Sequence, residues 1–189
     1  MNLEYKVTKW VRLSDFPSAT TYGKLNRSEN RANKTWKFWN KLTGGEISGV
    51  YQVSLKKPKE VIHKHICYIG ESECLPKRIS DLRSAAGPGN KVAHHMCGVY
   101  LREEGIDPDT VYVRCLIPKN CSKQDIERWL HAEHKKQFSY RVGYAWEEAS
   151  GGYKSSRIQC QMSIRRLETL EACAQVQKIL TERIKELSK

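Results

Sequence analysis

A chain of 189 residues suits one domain with appendages and is long enough to bury a core. No apolar run reaches the roughly 18 residues of a membrane span, and the N-terminus MNLEYKVTKW lacks the apolar stretch of a secretory signal, so the chain reads as cytoplasmic with no membrane partner. Lysine and arginine number 33 against 21 acids, a net charge of +12, and an excess this large points to a polyanion, with nucleic acid first and an acidic membrane surface second.

Residues 1–45 are polar and basic, with Tyr22, Trp36, Phe38 and Trp39 set among Lys24, Arg27, Arg31, Lys34, Lys37 and Lys41. Aromatics interleaved with cations suit stacking on bases and contact with phosphates. The competing reading is a small subdomain whose aromatics pack on the main core. Gly44-Gly45 punctuates its end.

SGVYQVSL at 48–55 is rich in β-branched and aromatic residues and reads as a strand. A basic connection, KKPKEVIHK, leads to IHKHICYIG at 62–70, a second strand antiparallel to the first. LPKRISDLRSAA predicts a helix over 75–86, ended by Gly87-Pro88-Gly89, with Glu71-Ser72-Glu73 offering caps. A second helix is expected over 91–104, ended by Gly105. A third strand follows near 111–117 and stops at Pro118. Ser122 caps a helix through SKQDIERWLHAEHKKQF. After an aromatic loop, residues 162–187 carry apolar positions at helical spacing on one face.

The middle of the chain therefore runs β-β-α-α-β-α. That order predicts an α/β (α+β) fold with a short mixed or antiparallel sheet flanked by helices. The divisions are a basic N-terminal extension (1–45), a core (46–149), and a loop with a C-terminal amphipathic helix (150–189). The seven cysteines have irregular spacing and no CxxC, so they read as free thiols packed as small apolar residues. A metal site from His94, His95, Cys97, Cys115 and Cys121 lacks the closely paired ligands of structural zinc.

Four pieces in order resemble the GIY-YIG nuclease family: Gly49-Val50-Tyr51, then Tyr68-Ile69-Gly70, then Arg78 eight residues after Gly70, then Glu133 on a downstream helix. The resemblance covers about 48–146. It implies a small GIY-YIG-type core and a metal-dependent DNA endonuclease. Tyr51 would stand near the nucleophilic water as general base, once its ordinary pKa of about 10 is lowered. Tyr68 would help position water. Arg78 offers a permanently charged planar fork to the scissile phosphate. Glu133 would hold one Mg²⁺ (or Mn²⁺), a hard cation content with one carboxylate plus waters. Glu127, six residues earlier, is the other carboxylate on that helix.

Two positions depart from the family pattern. Leu82 stands four residues after the arginine, where many members carry His or Tyr, and Trp146-Glu147-Glu148 stands where an asparagine is common. His63, His65, His94 and His95 are the auxiliary candidates for the missing imidazole. Lys34, Trp36, Lys37 and Arg83 are the candidate DNA contacts. The short chain resembles stand-alone restriction-type members acting on double-stranded DNA, which implies a homodimer or two sequential cuts. The alternatives are a phage or mobile-element nickase, a catalytically silent nucleic-acid-binding module on the same fold, and a single-stranded RNA binder stacking bases on Trp36 and Trp39.

Overall fold

The computed structural model describes residues 3–17, 34–88 and 95–138, together with 175, 176, 178 and 181. The elements are strands β1 (Tyr5–Val7) and β2 (Val11–Arg12), helix α1 (Lys34–Thr43), strands β3 (Gly49–Ser54) and β4 (Ile66–Ser72), helices α2 (Leu75–Ala86) and α3 (Met96–Glu103), strand β5 (Tyr112–Pro118) and helix α4 (Lys123–Phe138). The class is α+β, built on one five-stranded antiparallel sheet.

β3 is the centre of that sheet. It pairs with β4 on one side and β5 on the other, and all six of its residues are buried. Its alternation divides the core. Tyr51 and Val53 face a cluster with Leu75, Ile79 and Leu82 of α2 and Cys97, Tyr100 and Leu101 of α3. Val50 faces the opposite cluster, with Ile69, Leu116 and, from α4, Ile126 and Leu130. A strand buried on both faces must carry apolar residues at nearly every position, and GVYQVS does so except at Gln52 and Ser54.

The helices form where their apolar residues recur on one side. In α2, Leu75, Ile79, Leu82 and Ala86 are buried and Pro76 occupies the first turn, where no amide partner is needed. α3 packs against α2 through Gly98. A Cβ there would lie 2.5 Å from both Ala85 Cβ and the Leu82 carbonyl oxygen, so only glycine allows this approach. α4 starts at a reciprocal cap, in which the Asp125 amide donates to Ser122 Oγ (3.0 Å) and the Ser122 amide donates to Asp125 Oδ2 (3.3 Å).

Where the structure describes the N-terminal region, its strands join the core sheet. β1 and β2 both pair with β5, and Phe16, Phe38 and Trp39 form an aromatic group that closes the α2–α3 side of the core. The second predicted strand starts later than expected, at Ile66, because residues 62–65 belong to a pinned connection. Cys74 stands at the N-terminal boundary of α2 without a side-chain cap, and its own amide donates to Ser72 Oγ (3.0 Å). The tail expected to be helical over 162–187 lies largely outside the described residues, of which 175, 176, 178 and 181 are helical.

Candidate active site

Tyr51 lies directly across from Gly70 in the β3–β4 ladder, and Val53 across from Tyr68, so both tyrosines emerge on the α2–α3 face. Their rings stack with centroids 5.8 Å apart and planes 30° from parallel. Gly70 makes this possible. A Cβ on it would stand 2.8 Å from Tyr51 Oη and 2.8 Å from Tyr68 Cε1. The glycine of the YIG triplet is thus a space requirement of the two phenols.

Arg78 sits in the first turn of α2, immediately after β4. Its Nε–H donates to Tyr51 Oη at 3.2 Å, and the guanidinium also hydrogen-bonds Tyr68. His95 caps the start of α3 and brings Nε2 to 2.8 Å from Tyr51 Oη, its ring 5.5 Å from that of Tyr68. Side chains from four successive elements, β3, β4, α2 and the start of α3, thus gather around one phenol oxygen. Leu82 is buried in α2, and the imidazole beside Tyr51 belongs to His95 at the start of α3, which Gly98 lets approach α2 beside Leu82.

Burial sets the protonation states. Tyr51 and His95 are fully buried, Tyr68 is 6% exposed, and Arg78 is half-buried, so the guanidinium is the outward edge of the cluster. Burial, reinforced by neighbouring Tyr68, raises the Tyr51 pKa well above 10 against the opposing pull of Arg78. A lowered Tyr51 pKa, expected of a ready-made base, is therefore not what this state has. Burial and then Arg78 push His95 well below the ordinary 6.5, so the imidazole is neutral. Burial alone would lower Arg78, but the phenolic oxygens of Tyr51 and Tyr68 outweigh it and raise its pKa. With Arg78 donating to the Tyr51 oxygen, the arrangement that uses each group once has Tyr51 O–H donate to His95 Nε2. The imidazole proton then sits on Nδ1, which has no hydrogen-bond partner among the described residues. The Tyr51 O–H is thus aimed at His95 Nε2, with Arg78 placed to compensate a phenolate, while the raised phenol pKa and the lowered imidazole pKa keep the proton on Tyr51 in this state.

The carboxylates stand apart. α4 packs on the opposite face of the sheet, so one of its side chains can approach the tyrosine site only around the sheet end where β4 finishes. Lys123, in the first turn of α4, marks that end: its ammonium pairs with Glu71, the residue after Gly70, and with Glu73 at 2.8 Å. Glu127 is buried one turn beyond Lys123. Glu133 is half-buried about 9 Å further along the helix, 3.8 Å from Lys136. No three of the described His, Cys, Asp and Glu side chains gather around a metal position. The residues fit only a cation held by one carboxylate with water and phosphate, the arrangement Mg²⁺ accepts.

The other candidate residues are dispersed. His63 and His65 lie on the β3–β4 connection with rings 4.9 Å apart, and the His63 carbonyl meets His134 of α4 at 3.2 Å, on the side away from the tyrosines. Arg83 donates to the Phe16 carbonyl and so ties the N-terminal segment to α2. Lys37 is exposed on α1. Trp39 is 1% exposed and belongs to the core, which removes it as a base-stacking surface. The side chains of Lys34, Trp36 and His94, and the segment after Trp146, lie outside the described residues.

A second buried polar group, not foreseen, lies on the reverse face. Arg114 Nε donates to Gln52 Oε1 (2.7 Å) and Nη2 to the Glu60 carbonyl (2.6 Å), and the guanidinium lies 4.3 Å from the Trp10 ring centre. Burial lowers its pKa to about 10. The signal was present: one arginine amid YVRCLIP and one glutamine amid GVYQVS, each inside an apolar strand. No family model matches this chain, and none of the curated proteins or solved structures does.

Proposed function

We propose that this chain is a metal-dependent phosphodiester hydrolase of GIY-YIG type acting on double-stranded DNA, a restriction-like endonuclease that cuts two strands as a homodimer or in two sequential events. The observation that carries the reading is the convergence of Tyr51, Tyr68, Arg78 and His95 on one phenol oxygen. A buried constellation of two phenols, a guanidinium and a neutral imidazole is costly to assemble for packing alone. The net charge of +12 supports a polyanionic substrate independently.

In this mechanism Arg78, the outward member, meets the scissile phosphate and offers it charge that grows in value as the phosphate gains negative charge. Tyr51 passes its proton to His95 as it takes one from the attacking water, a transfer that the burial of both groups opposes and that the charge of Arg78 and of the cation has to offset. Tyr68 holds the second side of that water. A divalent cation, Mg²⁺ or Mn²⁺, bound by one carboxylate of α4 would supply Lewis-acid stabilisation of the phosphate and leaving oxygen. Of the two α4 carboxylates, Glu127 is favoured over Glu133, since it lies nearer the sheet end that adjoins Gly70.

Hydrolysis of bis(p-nitrophenyl) phosphate in Mg²⁺ tests this directly. Tyr51→Phe and Arg78→Ala are expected to lower the rate at least about 100-fold. Glu127→Gln should abolish the Mg²⁺ dependence, and Glu133→Gln should leave it. Rates unchanged in both Tyr51→Phe and Arg78→Ala would overturn the reading. Loss on Glu133→Gln alone would move the cation to Glu133.

A further inference from the structure

The connection between β3 and β4, LKKPKEVIHKH at 55–65, carries Lys56, Lys57, Lys59 and Lys64 against one acid, Glu60. An eleven-residue loop of this composition would ordinarily be a solvated, variable excursion. Here its backbone is fixed from within. The Pro58 carbonyl accepts from Trp10 Nε1 (2.7 Å), Glu60 from Arg114 Nη2 (2.6 Å), Val61 from Gln52 Nε2 (2.8 Å) and His65 from Ser54 Oγ (2.8 Å), while the His63 carbonyl meets His134 Nε2 (3.2 Å). The donors come from the N-terminal segment, from β3 and β5, and from α4. Gln52 and Arg114 are buried to supply two of them, and Arg114 has no carboxylate within ion-pair distance among the described residues. The loop's carbonyl dipoles therefore turn inward, and its lysines are carried outward.

Lys56, Lys57 and Lys59 are exposed, as is Lys9 beside Trp10, the residue that holds Pro58. Lys57 rests over the Tyr112 ring, 4.6 Å from its centre. Among the described residues Lys57, Lys59 and Lys9 make no ion pair. The pKa of His63 is lowered, first by burial against the pull of Glu60 and then by the cations Lys64, Arg114 and Lys56. Val61 and Ile62 are turned into the core cluster on the α4 side, which leaves the loop no apolar group to insert into a bilayer. Tyr68 lies three residues beyond His65, about 10 Å along the strand, and a duplex presents one charge per about 1.7 Å of axis.

We propose that residues 55–65 are a pre-shaped cationic surface that docks the phosphate backbone of duplex DNA beside the tyrosine–arginine site. The inference takes its polyanion from the phosphodiesterase reading but uses none of the catalytic residues. Fixing the loop in the free protein removes the ordering cost that a flexible basic loop meets on binding.

Binding of a short labelled DNA duplex, measured in chelator at several salt concentrations, tests it. K56Q/K57Q/K59Q/K64Q is expected to lose at least about tenfold in affinity near 0.1 M salt and to lower the salt slope by about two to four. K6Q/K119Q/K135Q/K136Q, which removes the same charge from exposed sites elsewhere, should stay within about threefold. Equal losses in the two variants, or none in the first, would overturn the proposal. So would a first variant that releases anionic vesicles yet keeps its duplex affinity. Both variants should retain wild-type hydrolysis of bis(p-nitrophenyl) phosphate. Absence of that hydrolysis in wild type removes the enzymatic reading and leaves the binding result to stand or fall by itself.

Discussion

At the scale of residues, one oxygen organises the site. Tyr51 Oη is met by Arg78 at 3.2 Å and His95 at 2.8 Å within a fully buried setting. The histidine has a consequence for stability. Its folded-state pKa lies well below the ordinary 6.5, while the unfolded chain titrates near that ordinary value. Below pH 6.5 the unfolded state therefore binds a proton that the folded state refuses. The stability is present in full above 6.5 and is lost as pH falls from there toward the folded-state value. Urea unfolding of wild type from pH 7.5 to 5 should show this loss, and His95→Gln should flatten it. An identical pH dependence in the variant would show that His95 is not held neutral. The two tyrosines and Arg78 were picked out by the resemblance of their order to the GIY-YIG pattern, since each alone reads equally well as a strand or helix residue. The histidine was legible only as one of four, because Leu82 holds the expected position and nothing in the sequence tells which distant imidazole reaches the phenol.

At the scale of elements, β3 was legible because a strand buried on both faces needs a dense apolar run, and α2 because its apolar residues recur at helical spacing between clear stops. The order β-β-α-α-β-α follows from those signals. β1 and β2 were not legible, since strands of three and two residues carry too little periodicity and gain their pairing from β5. Nor did the sequence indicate on which face α4 would pack, and the choice of Glu133 over Glu127 rested on the resemblance of AEHKKQF to the family's glutamate-bearing helix. The α2–α3 contact is the joint on which His95 depends. Gly98→Ala would force the helices apart against backbone as well as side-chain atoms, an overpacking expected to cost about 1–3 kcal/mol. Hydrolysis by the fraction that remains folded should fall as well, because the shift carries His95 away from Tyr51. Stability and rate both unchanged would mean that α3 approaches α2 less closely than this.

At the scale of the molecule, the sheet separates two sets of polar residues. The α2–α3 face holds the tyrosine, arginine and histidine site. The reverse face spends Gln52, Arg114 and His134 on holding the β3–β4 connection, whose lysines contribute to the charge of +12. No helix among the described residues is long and apolar enough to cross a membrane. The proposed chemistry on one face and a charged loop at the end of the same sheet would suit a long polyanion that passes both. The measurement that bears most directly on this account is incubation of the purified full chain with supercoiled plasmid in Mg²⁺ or in chelator, beside Tyr51→Phe. The account predicts Mg²⁺-dependent conversion to linear or discrete products by wild type, none in chelator, and a loss of at least about 100-fold in the variant. Plasmid that is bound and shifted but never cut, alike for wild type and Tyr51→Phe, would contradict it.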